Sequence, residues 1–276
     1  MSVRAVSATN VWSDLCSRRE LLLTLTWRDL RVRYKQSLLG IAWAVFLPLS
    51  MMLVFTFVFT RAIDASALGH VGMPYALFAY TGLVPWTFFS ASLNGCVNSL
   101  VANRNLVTKV YFPREVFPLS SVAACFVDFC VAGVVLIALI AYFNLADGWT
   151  FVPRATLLFL PVVVCVQVAM TVGIGLLLAM GNLFYRDVRH VFSMAIQLWM
   201  FISAVVVPIP EDGSRLARFI ALNPMAPIIS AYRACILHGQ LPAAGGFLYA
   251  TVIALGLLIG GWAWFRQKSY RFAECI

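Results

Sequence analysis

The chain has 276 residues, of which 62% are hydrophobic and 11% charged, and its mean hydropathy is +0.89. A soluble fold of this composition would have too little polar surface to cover itself, so soluble protein classes are excluded. The formal net charge is +9. Since the basic residues cluster between long charge-free runs, this charge indicates membrane orientation and contact with anionic lipid headgroups rather than nucleic-acid binding.

The first predicted element is an amphipathic helix over residues 18–36. Its apolar residues fall within one arc of a helical projection: Leu23, Trp27, Leu30 and Tyr34. Basic residues fill the neighbouring arc, which is typical of a helix that lies in the membrane interface. Asp29 and Arg33 point to the far side, so this face is expected to be open to another partner. The helix is either an anchor that fixes topology or a lever that links a cytoplasmic partner to the first span.

Six membrane-crossing helices follow this segment. Each charge-free run can cross about 30 Å of hydrocarbon as a helix of roughly 20 residues, and none alternates with a period of two. The predicted fold class is therefore an all-α integral membrane protein with a single transmembrane domain. Small residues in the fourth span have the spacing that favours close helix packing or dimerisation. The predicted spans are 38–60, 76–100, 117–143, 156–181, 190–208 and 246–265.

The distribution of Lys and Arg predicts the orientation of these spans. If the N-terminus lies inside, the cytoplasmic segments hold fifteen of the twenty basic residues. Basic loops resist translocation, so both termini are expected on the cytoplasmic side.

The predicted cytoplasmic loop 101–115 is short and basic and carries apolar residues ahead of Pro113. A solvated connector does not need them, and exposed apolar surface usually marks a contact with another molecule. The alternative is a tight turn that lipid headgroups hold in place.

Residues 209–240 are too polar and too rich in proline to cross the membrane. They still contain two short apolar helices, predicted over 214–222 and 226–238, with Gly239 closing the second. Apolar pieces of this length are often re-entrant, so the pair is expected to enter the outer leaflet and return. The alternative is a scaffold between spans five and six.

Asp128 is the one acidic residue deep inside a predicted span. Such a group is costly in lipid and usually faces the bundle interior with a partner. The candidate partners are Gln167, Ser120 and Ser121, and a structural or interhelical role is favoured over a proton relay.

No sequence feature indicates catalysis. None of the three histidines lies near a carboxylate or cysteine at catalytic or metal-binding spacing, and the seven cysteines include no CxxC pair. A Gly-x-x-x-x-Gly-Lys-[Ser/Thr] motif is also missing, so the chain has no phosphate-binding loop of its own. The chain is therefore predicted to be neither an enzyme nor a metal protein.

Five stretches, in order, are similar to motifs of one transporter family. They are WRDLRVRYKQSLLGIAW (27–43), GLVPWTFF (82–89), KVYFPREVFP (109–118), NLFYRDVRH (182–190) and NPMAPIISAYR (223–233). Together they resemble the permease subunits of type-2 ABC exporters, in the branch that moves O-antigen, capsular and teichoic-type polysaccharides.

The resemblance implies a channel-forming subunit of an ATP-driven exporter in the bacterial inner membrane. Its cargo would be a lipid-linked polysaccharide that leaves the cytoplasm. A homodimer of this chain would bind two copies of a separate ATPase, which would hold the ATP and magnesium. The alternatives are a type-2 exporter of a small hydrophobic compound, a membrane enzyme acting on a polyprenyl-linked sugar, and a secondary transporter.

The resemblance also implies three sets of functional residues. Coupling to the ATPase is expected at Arg28, Asp29, Arg31, Arg33, Arg104, Lys109, Tyr111, Phe112, Arg114, Arg186 and Asp187. An outer gate is expected at Asn223, Pro224, Tyr232 and Arg233. Because aromatic faces stack on sugars and a sliding polymer needs many weak contacts, the channel is expected to be lined by Trp43, Phe46, Trp86, Phe88 and Phe89.

Overall fold

The computed structural model of the chain describes residues 19–35, 37, 39–61, 74–104, 106, 113–146, 154–206, 220 and 222–269. All regular secondary structure in these residues is helical, which confirms the predicted all-α class. Short 3-10 turns precede the second and fifth helices, and a π turn follows the seventh. The helices are α1 (Arg19–Tyr34), α2 (Trp43–Arg61), α3 (Tyr75–Ala102), α4 (Val116–Ala146), α5 (Leu160–Phe184), α6 (Val188–Ile202), α7 (Met225–Arg233) and α8 (Ala244–Lys268).

Five of these helices, taken with their leading 3-10 turns, are long and apolar enough to cross a membrane. They are Gly40–Phe59, Tyr75–Ala102, Val116–Ala146, Ala155–Phe184 and Ala244–Lys268. Each lies within a few residues of a predicted span. The expected fifth span corresponds to α6, which has 15 residues. This is shorter than the roughly 20 residues that a crossing needs, so the sixth crossing stays a prediction.

The helices alternate in direction, so the bundle has two distinct ends. At one end, Arg266 of α8 pairs with Glu115 at the start of α4, with 3.4 Å between Nε and Oε1. At the other end, the Tyr75 hydroxyl at the start of α3 donates to the Val206 carbonyl beyond α6, at 2.9 Å. α6 therefore runs antiparallel to α3. The first end is called the basic end here, after Arg104, Arg114, Arg186, Arg189 and Arg266.

α3 is the central helix of the bundle. Eighteen of its 28 residues are buried, and α2, α4, α5, α6 and α7 all pack against it. Pro85 lies inside it and cannot donate a backbone hydrogen bond. Since protein rather than lipid surrounds α3, its aromatic residues are mostly packing residues, and only those beside a cavity are available to a ligand.

α5 and α8 approach each other most closely at two glycines. A Cβ on Gly261 would lie 2.5 Å from the carbonyl oxygen of Gly173, and a Cβ on Gly173 would lie 2.5 Å from the backbone of Leu257. No side chain fits at either position without moving a helix. Gly173 thus allows two helices of the same chain to pack closely. Close packing and dimerisation were the two roles predicted for it.

Replacing Gly261 with alanine is expected to destabilise the protein by about 1–3 kcal/mol, because the added methyl group overpacks this crossing. The measurement is thermal unfolding of the detergent-purified chain. Gly260→Ala is the matched control, since a Cβ there meets no atom within 4 Å. It should leave stability unchanged or raise it by up to about 1 kcal/mol through helix propensity. Equal effects of the two substitutions would contradict the packing account.

Candidate functional site

A cleft of about 430 Å³ opens between the C-terminal end of α1 and the helices α2, α3 and α4. The residues around it combine aromatic rings with a charged pair. Its aromatic residues are Tyr34, Trp43, Trp86, Phe88 and Phe129, and its other polar residues include Arg33, Asn94 and Asp128. Trp43 presents an exposed ring to the cleft, whereas Trp86 and Phe88 are almost completely buried beside it.

Asp128 is held by α1. Its Oδ2 accepts a hydrogen bond from Nη1 of Arg33 at 2.5 Å, and its Oδ1 accepts one from the Tyr34 hydroxyl at 2.5 Å. Burial and this hydrogen bond raise the pKa of Tyr34 to about 12, so the phenol remains a donor to Asp128 well above neutral pH.

The predicted partners of Asp128, which were Gln167, Ser120 and Ser121, are therefore wrong. Gln167 instead bonds to α3 and α7, and Ser120 bonds to Asp29. The error has a physical reason: the pairing depends on α1 packing along α4, some 95 residues away in sequence.

The far face of α1 packs against the first part of α4. The hydroxyl of Ser120 donates to Oδ2 of Asp29 at 2.9 Å, while Oδ1 of Asp29 pairs with Arg28 at 2.8 Å. Leu25 is buried in a cluster that also contains residues of α4. α4 therefore contacts the side of α1 that carries Asp29 and Arg33, although Arg33 remains exposed. Contact of Asp29 and Arg33 with an ATPase stays a prediction.

The opposite face of α1 is exposed, as the amphipathic pattern predicts for part of the helix. Leu23 and Trp27 are both more than half exposed, and the Arg31 guanidinium lies over the Trp27 ring at 5.2 Å. Tyr34 departs from the predicted apolar face, since it turns toward Asp128. Contact of Arg28 and Arg31 with an ATPase stays a prediction.

Three of the five predicted channel aromatics meet at the cleft: Trp43, Trp86 and Phe88. Phe46 packs edge to face on Trp43 at 5.5 Å but does not line the cleft. Phe89 is fully buried and packs edge to face on Trp199 at 5.3 Å. Phe88 is also buried, but unlike Phe89 it borders the cleft.

The predicted outer gate is tied to the centre of the bundle through α7. The Tyr232 hydroxyl donates to Oε1 of Gln167 at 2.6 Å, and Nε2 of Gln167 donates to the Pro85 carbonyl at 2.7 Å. Asn223 fixes the start of α7, because its Oδ1 accepts from the backbone N–H of Met225 at 3.0 Å. If α7 moves, it must therefore either break these buried hydrogen bonds or move together with α3 and α5.

Gln167 was predicted only as a partner of Asp128, and that prediction is wrong. A usable signal was present, since Gln167 is an amide within a charge-free run and must find hydrogen-bond partners there. Trp199, which donates from Nε1 to Oδ1 of Asn223 at 2.9 Å, was not identified at all.

Pro224 and Gly239 mark the two ends of the α7 segment. Pro224 immediately precedes α7, and the following π turn, Ala234–His238, ends at Gly239 with φ of 59°. This left-handed conformation favours glycine, as the predicted helix end requires. The helix predicted over 214–222 lies almost entirely outside the described residues.

Arg233 is buried against backbone carbonyl groups rather than exposed to a pathway. Its guanidinium donates to the carbonyls of Phe78, Ala204 and Val205 and lies over the Phe78 ring at 3.6 Å. A Cβ at Gly82 would lie 2.5 Å from Nη2 of Arg233, so only glycine leaves room there. The side chain thus joins α7 to α3 and to the chain that follows α6.

Replacing Tyr232 with phenylalanine is expected to destabilise the protein by about 1–3 kcal/mol, because Oε1 of Gln167 would be left buried without its donor. The measurement is thermal unfolding in detergent, run as a double-mutant cycle with Gln167→Met. The cycle should give a coupling energy of about 1 kcal/mol. Strictly additive effects would contradict a direct hydrogen bond. Tyr249→Phe is the control, since that hydroxyl bonds to the Leu222 carbonyl at an exposed site.

The predicted coupling residues at the basic end fall into two places. Arg104, Arg186 and Asp187 line one cavity of about 340 Å³ between the ends of α3, α5 and α6. Arg114 donates to the Ser269 carbonyl and so holds the start of α4 to the end of α8. The other coupling residues of the loop, Lys109, Tyr111 and Phe112, lie outside the described residues, and their role stays a prediction.

The sequence of this chain is similar to those of known transporters. Residues 20–237 match the family described as ABC-2 type transporter. The chain is 31% identical over 266 residues to the O-antigen export system permease protein RfbA of Myxococcus xanthus, an alignment covering 95% of this chain and 98% of that protein. It is 30% identical over 261 residues to the Klebsiella pneumoniae protein of the same name, covering 93% and 95%. It is 22% identical to the polysialic acid transport protein KpsM of Escherichia coli, covering 88% and 91%.

Proposed function

Because this chain belongs to the ABC-2 type transporter family, we propose that it is the channel-forming permease subunit of an ATP-driven exporter of lipid-linked polysaccharide. The observation that carries the proposal is similarity over nearly the whole length to permeases named for O-antigen export. The cleft supports it independently, since the exposed ring of Trp43 and the Arg33–Asp128 pair together suit sugar rings and hydroxyls.

We place the basic end at the cytoplasmic face of the inner membrane. Eleven described basic residues from α1, the α5–α6 turn and the helix ends lie toward this end, whereas Arg61, Arg154 and Arg233 lie toward the other. Cytoplasmic segments are enriched in Lys and Arg, which supports this orientation. α6 then supplies a sixth crossing with the residues that follow it, and both chain ends face the cytoplasm.

The complete exporter in this proposal is a two-fold homodimer with two copies of a separate ATPase. The chain has no Walker motif, so a partner must bind and hydrolyse ATP with its magnesium. The exposed residues of α1 and loop 101–115 are the proposed contacts with that partner. Since α1 is hydrogen-bonded to α4 beside the cleft, a movement of α1 would displace Asp128 and so change the shape of the cleft.

Deletion of the gene in its native host tests this function. The expected result is loss of surface polysaccharide, with lipid-linked glycan accumulating inside the cell, and recovery when the chain is supplied on a plasmid. Trp43→Ala should complement poorly if the cleft contacts the glycan, whereas Trp264→Ala, which removes a ring of similar exposure near the end of α8, should complement normally. Normal surface glycan in the deletion strain would overturn the proposal.

A further inference from the structure

An apolar crevice of about 530 Å³ opens at the side of the bundle, between α3, α4, α5 and the α7 segment. It lies in the half of the bundle away from the basic end. Val134 and Ile137 of α4, at its mouth, are about two-thirds exposed, and Cys130 is exposed beside them. Its floor includes buried residues of other helices, among them Pro85 of α3 and Tyr232 of α7. The crevice is therefore open to whatever surrounds α4.

The lining of this crevice is unsuited to water. Nearly all of its surface is carbon, and its two hydroxyl groups already have partners inside the protein. The Thr81 hydroxyl donates to the Leu77 carbonyl at 2.7 Å, and the Tyr232 hydroxyl donates to Gln167 at 2.6 Å. A buried water needs about two to four polar partners. An empty crevice would also be costly, because its lining atoms would lose their dispersion contacts. An apolar occupant is therefore favoured.

The surroundings of the mouth indicate which apolar molecule this is. Most of the lining comes from Val116–Ala146 and Ala155–Phe184, two of the segments that are long and apolar enough to cross a membrane. The mouth lies within the first of these segments rather than at its ends, so the hydrocarbon of the bilayer surrounds it. The acyl chains of phospholipids make up most of that hydrocarbon, and they need no polar partner.

The crevice and the cleft share one aromatic residue. Phe129 of α4 lines both of them. Its ring packs against Phe88 with 5.3 Å between centroids, and edge to face against Tyr232 at 6.3 Å. A chain in the crevice would therefore touch the wall of the cleft on one side and the α7 tyrosine on the other.

We propose that the crevice binds one acyl chain of a bilayer phospholipid, and that this chain packs against Phe129 and Tyr232 from the lipid side. The headgroup stays at the membrane surface, since the lining offers it no free polar group. The bound molecule is a lipid of the membrane rather than a transported one. The site thus goes beyond the proposed function, because it needs only a bilayer.

The test is photolabelling of the full chain in nanodiscs of phosphatidylcholine, a small fraction of which carries a diazirine in one acyl chain. Irradiation joins that chain to its neighbours, and peptide mass spectrometry locates the adducts. We expect adducts on Tyr232, which lines the crevice although it is only 3% exposed. Tyr80 is the internal control, since it is fully buried and does not line the crevice. Equal labelling of the two tyrosines, or no labelling of Tyr232, would overturn the proposal.

A side chain that fills the crevice should remove the adducts on Tyr232. Gly133 lines the crevice, and a Cβ there meets no atom within 4 Å, so Gly133→Phe has room to place its ring inside. Gly256→Phe on α8 is the matched control, because a Cβ at Gly256 also meets no atom within 4 Å but this glycine lies outside the crevice. It should be labelled like the wild type. If Gly133→Phe keeps the adducts, they do not arise in the crevice and the proposal is wrong.

Phe129→Ala tests the contact with the shared wall. Loss of the ring should open the crevice into the cleft, so adducts should appear on Trp86, which is buried beside the cleft. The wild type and Phe129→Leu, which keeps most of the bulk, should leave Trp86 unlabelled. Adducts on Trp86 in all three proteins, or in none of them, would show that Phe129 does not separate the chain from the cleft.

Two other occupants would give different results, and either would overturn the proposal. Oxidation that joins two chains through Cys130, with the product lost in Cys130→Ser, would show that a second copy covers the mouth. Removal of the adducts on Tyr232 by a polyprenol, but not by an equal amount of unlabelled phosphatidylcholine, would show that an isoprenoid fills the crevice. None of these measurements uses glycan or ATP. Their failure therefore leaves the proposed function standing, and normal surface glycan after gene deletion would leave the crevice standing.

Discussion

Replacing Arg233 with leucine is expected to destabilise the protein by at least about 3 kcal/mol. Its guanidinium donates to three backbone carbonyls at a buried position, and each acceptor left without a donor costs about 1–3 kcal/mol. Such a loss is a large share of the stability of a typical domain. Thermal unfolding and the yield of monodisperse protein in detergent are the measurements.

Two further variants locate the cause of this effect. Arg154 also donates to backbone carbonyls, those of His238 and Gly239, but its side chain is exposed. Arg154→Leu should therefore cost less than about 1 kcal/mol. Arg233→Lys keeps the charge but has no planar fork, so it should be intermediate. If leucine at position 233 were tolerated as well as at 154, Arg233 would not be what joins α7 to α3.

Breaking the Arg33–Asp128 pair is expected to reduce export of surface glycan by at least about tenfold while the protein remains in the membrane. The two side chains are 37% and 19% exposed, so solvent screens the pair in part, and its loss is expected to cost about 1–3 kcal/mol in the coupling of α1 to α4. Asp128→Ala should be at least as damaging as Arg33→Ala, because it also removes the acceptor of the Tyr34 hydroxyl. Surface glycan of a complemented deletion strain, normalised to permease level, is the measurement.

The exchange variant, Arg33→Asp with Asp128→Arg, is the decisive control for this pair. It should recover a substantial part of export, because the charges are swapped but their attraction is kept. Arg19→Ala, at the far end of α1, should export normally. If the exchange variant is as defective as the single substitutions while α1 remains folded, the residues act separately rather than as a pair.

The membrane helices could be predicted from sequence because their signal is local. Each depends on a run of about 20 apolar residues. Within lipid, such a run forms a helix because only a helix satisfies its backbone hydrogen bonds within the segment. α6 is the exception, since its apolar run includes residues after Ile202 that do not continue the helix. The αL conformation of Ala204, with φ of 53°, lies at this break, where Arg233 binds the Ala204 and Val205 carbonyls.

The site was less predictable because its geometry depends on contacts between distant segments. That Asp128 needs a partner followed from the cost of a charge in lipid. That the partners are Arg33 and Tyr34 could not be predicted, because the pattern of residues within α1 does not show which helix α1 packs against. Trp86, Phe88 and Phe89 were identified by residue type, but all three are buried, and only Trp86 and Phe88 border the cleft.

Transport by purified components shows whether this chain moves glycan across a membrane when an ATPase drives it. The permease and its ATPase would be reconstituted in proteoliposomes carrying a lipid-linked glycan, with a glycosidase or lectin reporting glycan that reaches the opposite side. We predict that translocation requires ATP and both proteins, and that Asp128→Ala lowers it more than it lowers ATP hydrolysis. ATP hydrolysis by the complex without any glycan crossing, or glycan crossing without the ATPase, would contradict the account.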